Sequence, residues 1–342
     1  MYGLTKILTG VAIAASLVTS VAAQEVTLRF EHFISPKGAV PSKFMVPWIE
    51  AVEAQSNGRI KIELYPAMQL GGSPTTLYDQ IRDNVIDGGW ALPGYTPGRF
   101  PAAEVFELPF IGSMSAENTS KAQWEFYEKY LRDTFSDIQV LAMHTHGPGV
   151  IHTKGKPVNS LVDMNGLKLR TPTRIAAKLL AAAGATPIGM PVPAFPEALS
   201  KGVVDGGIIP WEIVLPLKVN ELADNHTMMG GNRALYNTVF IWGMNKDRYN
   251  ALPDDLRAVI DNNSGLMTSA LAGKAMDLGD APGRAKTEAG GNNLIQLTDA
   301  QTDEFKALAQ PIIDAWIADM EAKGLPGAAM VEDARAMIAQ YD

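Results

Sequence analysis

The hexapeptide NVIDGG at residues 84–89 recurs as GVVDGG at residues 202–207, and this repeat is the most informative internal feature of the sequence. Each copy follows an amphipathic helical pattern and precedes an apolar run typical of a strand. A helix-turn-strand junction often ends in Asp-Gly for turn reasons alone, and this alternative stays open. Two copies in the same context predict two similar lobes, and the interface between two lobes is a common place for a small-molecule pocket.

The pattern around the first copy predicts an α/β class. Residues 26–31 alternate apolar and polar side chains as a strand does, and residues 60–64 repeat that alternation. Between them, residues 41–56 have the apolar spacing of a helix. A strand, a helix and a second strand form a βαβ unit, which requires a parallel sheet. Helix and strand patterns alternate in this way to about residue 245.

The last third of the chain is predicted to be mainly helical. A long helix begins after Pro253 and continues through Gly265 to Met276. Residues 293–297 are a strand candidate. Thr298 then begins a capping-box pattern for a further helix, and a last helix covers about residues 328–339.

The division into lobes is predicted to be discontinuous in sequence. No low-complexity linker separates the two copies of the repeat, so we expect the chain to cross between the lobes more than once. Lobe I is assigned residues 24–147 and 236–275, and lobe II is assigned residues 148–235 and 276–342.

The first 23 residues have the pattern of a signal peptide. Lys6 precedes an apolar run at residues 7–18, and small residues end at Ala23. A membrane anchor is the alternative, but the run is shorter than the roughly 20 residues that span a bilayer. We therefore predict cleavage before Gln24 and a periplasmic protein.

Composition excludes several classes of function. The chain has no Cys, which removes disulfides, thiol catalysis and a lipid anchor on an N-terminal cysteine. Loss of Lys6 with the signal peptide changes the formal charge from −8 to −9, which argues against nucleic acid as a partner. The charge says nothing about the ligand, because one buried Arg can bind an anion inside a negative protein.

Residues 163–172 (DMNGLKLRTP) resemble the signature of the solute receptors of tripartite ATP-independent periplasmic (TRAP) transporters, the DctP family. Further matching segments follow the family's order over nearly the whole mature chain: ELYP at 63–66, QLGG at 69–72, GYTPGRFP at 94–101, GATP at 184–187 and VDG at 204–206.

The resemblance implies a two-lobed periplasmic binding protein fold. Each lobe is then a mostly parallel sheet flanked by helices, and crossing strands and one long helix join the lobes. The function implied is capture of a small organic acid in the cleft and its delivery to the small and large integral membrane subunits of the transporter.

The family signature also implies a carboxylate anchor. In that family the arginine of the Leu-Arg-hydrophobic-Pro motif pairs with the ligand carboxylate, and Arg170 occupies that position. A guanidinium suits the role because its planar fork meets a carboxylate with two hydrogen bonds and it stays charged. Without the resemblance, an Arg at a strand end is more often a surface residue.

One segment departs from the family. Many relatives have a polar Gln-Glu-Asn-Pro-like stretch after the second Asp-Gly, whereas residues 207–212 here read GIIPWE. This places the Trp211 indole and the Glu212 carboxylate where relatives have an amide. A sugar acid such as sialic acid then fits poorly, and a smaller or flatter acid with an apolar or aromatic body fits better.

Further candidate ligand-binding residues follow predicted strands, because ligands of open α/β sheets bind beyond the carboxyl ends of the strands. Core packing is the alternative for the large aromatic residues among them. Besides Arg170, the predicted ligand-binding set is His32, Phe33, Tyr95, His144, Trp211 and Glu212.

The sequence HTH at residues 144–146 raises the question of a metal site, because residues two apart on a strand face the same way. A zinc site needs three or four protein ligands, and no third ligand is identifiable nearby. We therefore predict no metal and no cofactor, and instead a hydrogen bond from His144 to the bound acid. Asp87 and Asp205 of the repeat are expected to serve turns.

We predict that the protein is not an enzyme. No Gly-x-Ser-x-Gly elbow, phosphate-binding loop or His-Glu-x-x-His helix is present. Two alternatives remain. One is a binding protein of an ABC transporter or a sensor, and the other is a periplasmic lyase or isomerase that uses His144 and Glu212 as acid and base.

Overall fold

The computed structural model describes residues 24–342, so the predicted signal peptide lies outside the described residues. Within that range, no helix combines the length and the apolar character that crossing a bilayer requires. The described chain forms two mixed sheets, and helices cover both.

The first lobe is built on a five-stranded sheet. Its strands are in the spatial order β2-β1-β3-β10-β4. β1 pairs in parallel with β2 and β3, whereas β10 is antiparallel to β3 and β4. The strands are β1 (Val26–Glu31), β2 (Ile60–Tyr65), β3 (Gly88–Ala91), β4 (Ile138–Thr145) and β10 (Val239–Asn245).

The second lobe is built on a six-stranded sheet in the order β11-β9-β5-β8-β6-β7. β6 pairs in parallel with β7 and β8, and β5 is the antiparallel strand. The strands are β5 (Val150–Thr153), β6 (Lys168–Thr171), β7 (Thr186–Gly189), β8 (Gly206–Ile209), β9 (Asn225–Met228) and β11 (Asn293–Gln296).

The antiparallel strand of each sheet is the one that arrives from the other lobe. The chain leaves the first sheet after β4 and enters the second as β5, and it leaves β9 to return to the first sheet as β10. The expected repeated crossing between lobes is therefore present. The residue boundaries given for the lobes stay a prediction.

The repeated hexapeptide has the same structural role in both lobes. The backbone N–H of Arg29 on β1 donates to Asp87 Oδ2 at 2.7 Å, and that of Lys168 on β6 donates to Asp205 Oδ2 at 2.8 Å. In return, the N–H of each Asp donates to the carbonyl of the same partner residue. Each Asp thus ties the start of one strand to its parallel neighbour.

The helices flank these sheets and occupy the predicted regions. Residues 41–56 contain a π-helical turn, Pro41–Met45, followed by α1. The capping box of α10 is confirmed, since Gln301 N–H donates to Thr298 Oγ1 at 3.2 Å and Thr298 N–H donates to Gln301 Oε1 at 2.9 Å. The helices are α1 (Val46–Gln55), α2 (Leu77–Arg82), α3 (Ala116–Phe126), α4 (Arg174–Ala182), α5 (Phe195–Ser200), α6 (Val219–Leu222), α7 (Lys246–Asn250), α8 (Asp254–Asn262), α9 (Leu266–Ala289), α10 (Asp299–Ala322) and α11 (Gly327–Ala339).

The prediction of one continuous helix from Pro253 to Met276 is wrong. The segment forms α8 and α9, which are separated at Gly265, a residue with φ of +93°. That backbone conformation is strained for residues other than glycine and cannot continue a right-handed helix. The Gly265 N–H instead donates to the Leu141 carbonyl at 2.8 Å, so the second helix starts against β4.

Helix α9 bridges the two lobes through glycines. A Cβ on Gly273 would lie 2.5 Å from the Ala116 carbonyl oxygen of the first lobe. A Cβ on Gly283 would lie 2.2 Å from the Trp211 carbonyl oxygen of the second lobe. The helix backbone therefore packs directly on both lobes, as predicted for the bridging helix. At the C-terminus, α11 packs against α3 of the first lobe.

We expect Gly207→Ala to lower the free energy of unfolding by about 1–3 kcal/mol, because an added Cβ would lie 2.8 Å from both Arg170 Cβ and the Phe195 ring. Gly189→Ala is the control, since Gly189 lies in the same sheet and has open space at that point. Urea unfolding of both variants measures the change in the free energy of unfolding. Equal stability of the two variants would contradict this account of the packing.

Candidate functional site

A cavity lies between the lobes beyond the carboxyl ends of β1, β3, β6 and β8. About 380 Å³ there, with the open mouth included, is free of protein atoms. Most of its wall is apolar or aromatic, with a few polar groups, which is the usual composition of a small-molecule pocket. Side chains of the first lobe include Phe33, Trp90, Tyr95, His146, Tyr236 and Phe240, and those of the second include Arg170, Pro172, Val192, Ile209 and Glu212.

Arg170 is the cation of this cavity and is only 2% exposed. Its Nε–H donates to the Met190 carbonyl at 3.0 Å, and Nη1 donates to the Ile208 carbonyl at 3.1 Å. These two contacts hold the guanidinium in place and use two of its N–H groups. A guanidinium has five N–H donors in a planar fork, so its remaining donors are available to an anion in the cavity.

The side chain of Arg170 is placed by the register of its sheet. Arg170 pairs with Ile188 on β7 and with Gly207 on β8. Because Gly207 has no side chain, the stem of Arg170 passes directly over β8. The prediction that Arg170 ends a strand, which Thr171 and Pro172 then terminate, is confirmed.

Tyr95 lines the cavity and connects the two lobes. Its hydroxyl oxygen accepts a hydrogen bond from the Val192 N–H at 2.9 Å. Burial raises the pKa of Tyr95, and the nearby Arg170 guanidinium opposes that rise. The hydroxyl is therefore neutral and keeps its proton for donation to an oxygen in the cavity.

Three stacked rings form one wall of the cavity. Phe33 stacks on Trp90 with ring centroids 4.8 Å apart and planes 14° from parallel. Trp90 stacks on Phe240 at 4.5 Å and 6°. A flat aromatic or apolar group fits against such a wall better than a polyhydroxylated one.

His144 does not line the cavity; it lies behind the ring stack. The Trp90 indole N–H donates to His144 Nε2 at 2.7 Å, and the imidazole stacks on Phe240 at 5.1 Å. Burial lowers the pKa of His144 to about 3, so the ring is a neutral acceptor that orients Trp90. Its predicted direct hydrogen bond to a ligand has no support in this placement.

His146 takes the place that was predicted for His144. Strand β4 ends at Thr145, so His146 turns into the cavity, where Nε2 lies 2.8 Å from Thr238 Oγ1. Burial lowers its pKa to about 4. The sequence motif identified the right pair of histidines, but strand alternation could not show where the strand ends. Among the described residues no cluster of three or more His, Cys, Asp or Glu side chains suits a metal ion.

Glu212 lines the cavity and is 7% exposed. Its backbone N–H donates to Asp280 Oδ1 on α9 at 2.7 Å. The side-chain Oε2 is buried and has no hydrogen-bond partner among the described residues. Burial raises the pKa of Glu212 to about 8, and the Asp280 carboxylate adds to the rise.

Trp211 and His32 lie outside this cavity. The Trp211 indole packs between His152 and His226 of the second lobe, at centroid distances of 5.4 and 5.3 Å. Its other face borders a separate groove that also contains Met228. His32 is fully buried, and its Nδ1 accepts a hydrogen bond from the Ile34 N–H at 3.4 Å.

Sequence reasoning missed several cavity residues. Trp90 directly follows Gly88-Gly89 of the repeat, in the apolar run predicted to be a strand, and it lies next to the last residue of β3. Tyr236, Thr238 and Phe240 come from the segment that returns to the first lobe, and no local pattern marks them.

An ion pair outside the cavity joins the two lobes. Arg174, the first residue of α4, donates from Nε and Nη2 to the two carboxylate oxygens of Glu104 at 2.5 and 2.6 Å. Glu104 belongs to the 3₁₀ turn Pro101–Glu107 of the first lobe and is 6% exposed. Burial raises the pKa of Glu104, and Arg174 opposes that rise. Arg174 is therefore a contact between the lobes.

Comparison with known proteins identifies relatives of this architecture. The profile of the bacterial extracellular solute-binding proteins, family 7 (DctP), matches residues 30–319. A TRAP solute-binding protein from Rhodoferax ferrireducens, solved with co-purified benzoate, is 48% identical, with a TM-score of 0.90 over 92% of this chain and 98% of that one.

Two further solved structures agree with this match. A marine metagenome TRAP solute-binding protein specific for aromatic acids, solved with 3-hydroxybenzoate, is 46% identical, with a TM-score of 0.91 over 94% of this chain and 100% of that one. A TRAP periplasmic protein from Bordetella bronchiseptica, solved with (R)- and (S)-mandelate, is 33% identical, with a TM-score of 0.86 over 93% of this chain and 100% of that one.

We expect a double-mutant cycle on Glu104→Gln and Arg174→Gln to give a coupling of about 1–3 kcal/mol in the free energy of unfolding, because loss of Arg174 leaves the buried Glu104 carboxylate without its cation. The control is the pair Glu197 and Lys201 on the surface of the second lobe, whose side chains are 70% and 67% exposed. That pair should couple by less than about 0.5 kcal/mol. Equal coupling in both cycles would contradict a role in holding the lobes together.

Proposed function

The chain belongs to the bacterial extracellular solute-binding proteins of family 7, and from this premise we propose that it is a TRAP receptor whose ligand is a small aromatic monocarboxylate. The observation that carries the proposal is Arg170, a buried guanidinium that lines a cavity with an aromatic wall. The ligands of the three solved relatives, benzoate, 3-hydroxybenzoate and mandelate, support it.

Arg170 is proposed to bind the carboxylate of the ligand. Two of its donors are held by backbone carbonyls, which fixes the plane of the guanidinium before a ligand arrives. A fixed planar fork presents parallel N–H groups to both carboxylate oxygens and loses little side-chain entropy on binding. The Tyr95 hydroxyl, next to this guanidinium, is suited to donate to the same carboxylate.

One cation in the cavity favours an acid with one charge. Among the described residues that line the cavity, Arg170 is the only Arg or Lys, and Glu212 is the only Asp or Glu. A second carboxylate on the ligand would be buried without a partner or placed near Glu212, and both arrangements are costly. This argument favours a monocarboxylate over a dicarboxylate.

The ring of the ligand is proposed to lie against Phe33, Trp90 and Phe240. Together with Ile209 and Val192 these residues present an apolar surface, against which the several hydroxyls of a sugar acid would lack partners. The expectation of a flat acid with an aromatic body rests on this wall and on the departure of residues 207–212 from the polar stretch of many relatives.

Transport in the periplasm is the proposed context. Residues 1–23 are proposed to be a cleaved signal peptide, and the small and large membrane subunits of the transporter are the proposed partners. The enzyme hypothesis needed His144 and Glu212 as acid and base, but His144 lies behind the Trp90 indole, so that pair cannot reach one substrate.

We expect Arg170→Ala to weaken benzoate binding by about 30-fold to several thousand-fold, since the carboxylate would then be buried without a partner at a cost of about 2–5 kcal/mol. Arg170→Lys should recover part of the loss, because an ammonium keeps the charge without the planar fork. Isothermal titration calorimetry measures both.

The control for Arg170 is Arg335→Ala, an exposed residue on α11. Arg174→Ala is not a suitable control, because it also removes the ion pair with Glu104. Circular dichroism checks folding of each variant. Near-wild-type benzoate affinity in a folded Arg170→Ala protein would remove Arg170 from the proposed anchor role.

We expect the mature protein to begin at Gln24 and to be released from cells by osmotic shock, because the small residues of the cleavage pattern end at Ala23 and no cysteine follows for lipid attachment. N-terminal sequencing of the released protein is the measurement. Retention of Met1, or protein that sediments with the membranes, would contradict export by cleavage.

A further inference from the structure

We propose that the Glu212 carboxyl group is the second polar contact of the cavity and binds a hydroxyl substituent on the ring of the ligand. The receptor would then select hydroxylated aromatic acids over benzoate itself. The inference rests on the proposed function and assigns the specificity of the same site.

Glu212 is held in a fixed position by the helix that bridges the lobes. It lies in the single 3₁₀ turn Trp211–Ile213, and its backbone N–H donates to Asp280 on α9. A Cβ on Gly279 of α9 would lie 2.7 Å from Glu212 Cβ, so only a glycine lets the helix pack this closely. A side chain positioned so tightly is suited to distinguish ligands.

The carboxyl group of Glu212 has an unsatisfied oxygen, and a ligand can supply the missing hydrogen bond. Oε2 is buried and accepts or donates no hydrogen bond among the described residues, yet the residue lines the cavity. Buried polar groups in folded proteins are nearly always paired. A hydroxyl of the bound ligand would supply the missing hydrogen-bond partner of Oε2.

Arg170 and Glu212 mark two different regions of the cavity. The Arg170 guanidinium is held by the carbonyls of Met190, directly after β7, and of Ile208 on β8. Glu212 lies instead on the turn Trp211–Ile213, which Asp280 of α9 holds, and its Oε2 makes no hydrogen bond to Arg170. A ligand whose carboxylate contacts Arg170 would therefore present its ring substituent to Glu212.

Charge balance favours a neutral Glu212 in the complex. The ligand carboxylate neutralises Arg170, and the other groups near the site are the neutral His146, Tyr95 and Tyr236 and, on α9, Asp280. An ionised Glu212 beside Asp280 would add an unpaired negative charge to a buried anion site.

A carboxylic acid has one donor and one acceptor oxygen, and a phenolic hydroxyl has the same pair. Glu212 in its neutral form can therefore both donate a hydrogen bond to a phenolic hydroxyl and accept one from it. It has no matching partner in the C–H of benzoate, and it repels a second carboxylate once ionised.

The test compares benzoate with 2-, 3- and 4-hydroxybenzoate by calorimetry on the wild type, Glu212→Gln and Glu212→Leu. In the wild type at least one hydroxybenzoate should bind roughly 5- to 30-fold more tightly than benzoate, the effect of one buried hydrogen bond. Glu212→Leu should bring that ratio to about one and keep benzoate affinity within a few-fold. Glu212→Gln retains a donor and an acceptor and should keep part of the preference.

A second measurement follows the pH. Because the neutral form of Glu212 is the one that accepts an anionic ligand, wild-type affinity for benzoate should fall as the pH rises from 7 to 9, approaching tenfold per unit above the pKa of Glu212. Asp280 is present in all variants, so a fall in the wild type that is absent in Glu212→Gln belongs to Glu212. This comparison also decides the question if Glu212→Leu does not fold.

The outcomes separate the two proposals. If benzoate binds but the wild type has no hydroxyl preference, or if Glu212→Leu keeps it, the inference about Glu212 is overturned and the proposed function stands. The inference is also overturned if benzoate affinity depends on pH in the same way in Glu212→Gln as in the wild type. If the folded wild type binds none of the four acids, the proposed function itself fails.

Discussion

A buried guanidinium is the constraint on which the rest of the site depends. A charge removed from water is costly unless hydrogen bonds and an opposite charge replace the solvent. The carbonyls of Met190 and Ile208 replace part of it for Arg170, and an anion in the cavity would replace the remainder. The glycine at position 207 follows from the same requirement, because any larger residue would meet the stem of Arg170. The repeat motif and the anchor are therefore parts of one arrangement.

The aromatic wall and the Arg and Glu side chains of the cavity come from different lobes. Phe33, Trp90 and Phe240 belong to the first lobe, whereas Arg170 and Glu212 belong to the second. A ligand that contacts both sets is enclosed only when the lobes approach each other. The Tyr95 hydroxyl and the Glu104–Arg174 pair are contacts of that approach, and α9 packs on both lobes beside them.

Much of the fold was predictable, because it depends on local patterns. The Asp-Gly repeat indicated two parallel units, and the cap at Thr298 indicated the start of α10. A single glycine such as Gly265 is only mildly unfavourable in a helix, so the sequence pattern does not predict a break there. Its positive φ is imposed by packing against β4, which no local pattern reveals. Likewise, Arg170 carried a family signature, whereas Tyr236 and Phe240 reach the cavity only through the return of the chain to the first sheet.

The pair Trp211 and Glu212 shows why neighbours in sequence need not share a site. In the tight turn Trp211–Ile213 successive side chains point in different directions, so the indole packs between His152 and His226 while the carboxyl group faces the cavity. The two residues replace one polar stretch of many relatives, but only Glu212 does so within the cavity. Trp211 instead packs its backbone on Gly283 of α9, and this contact holds the turn that presents Glu212. Trp211 thus supports the position of the turn, and Glu212 supplies the carboxyl group that lines the cavity.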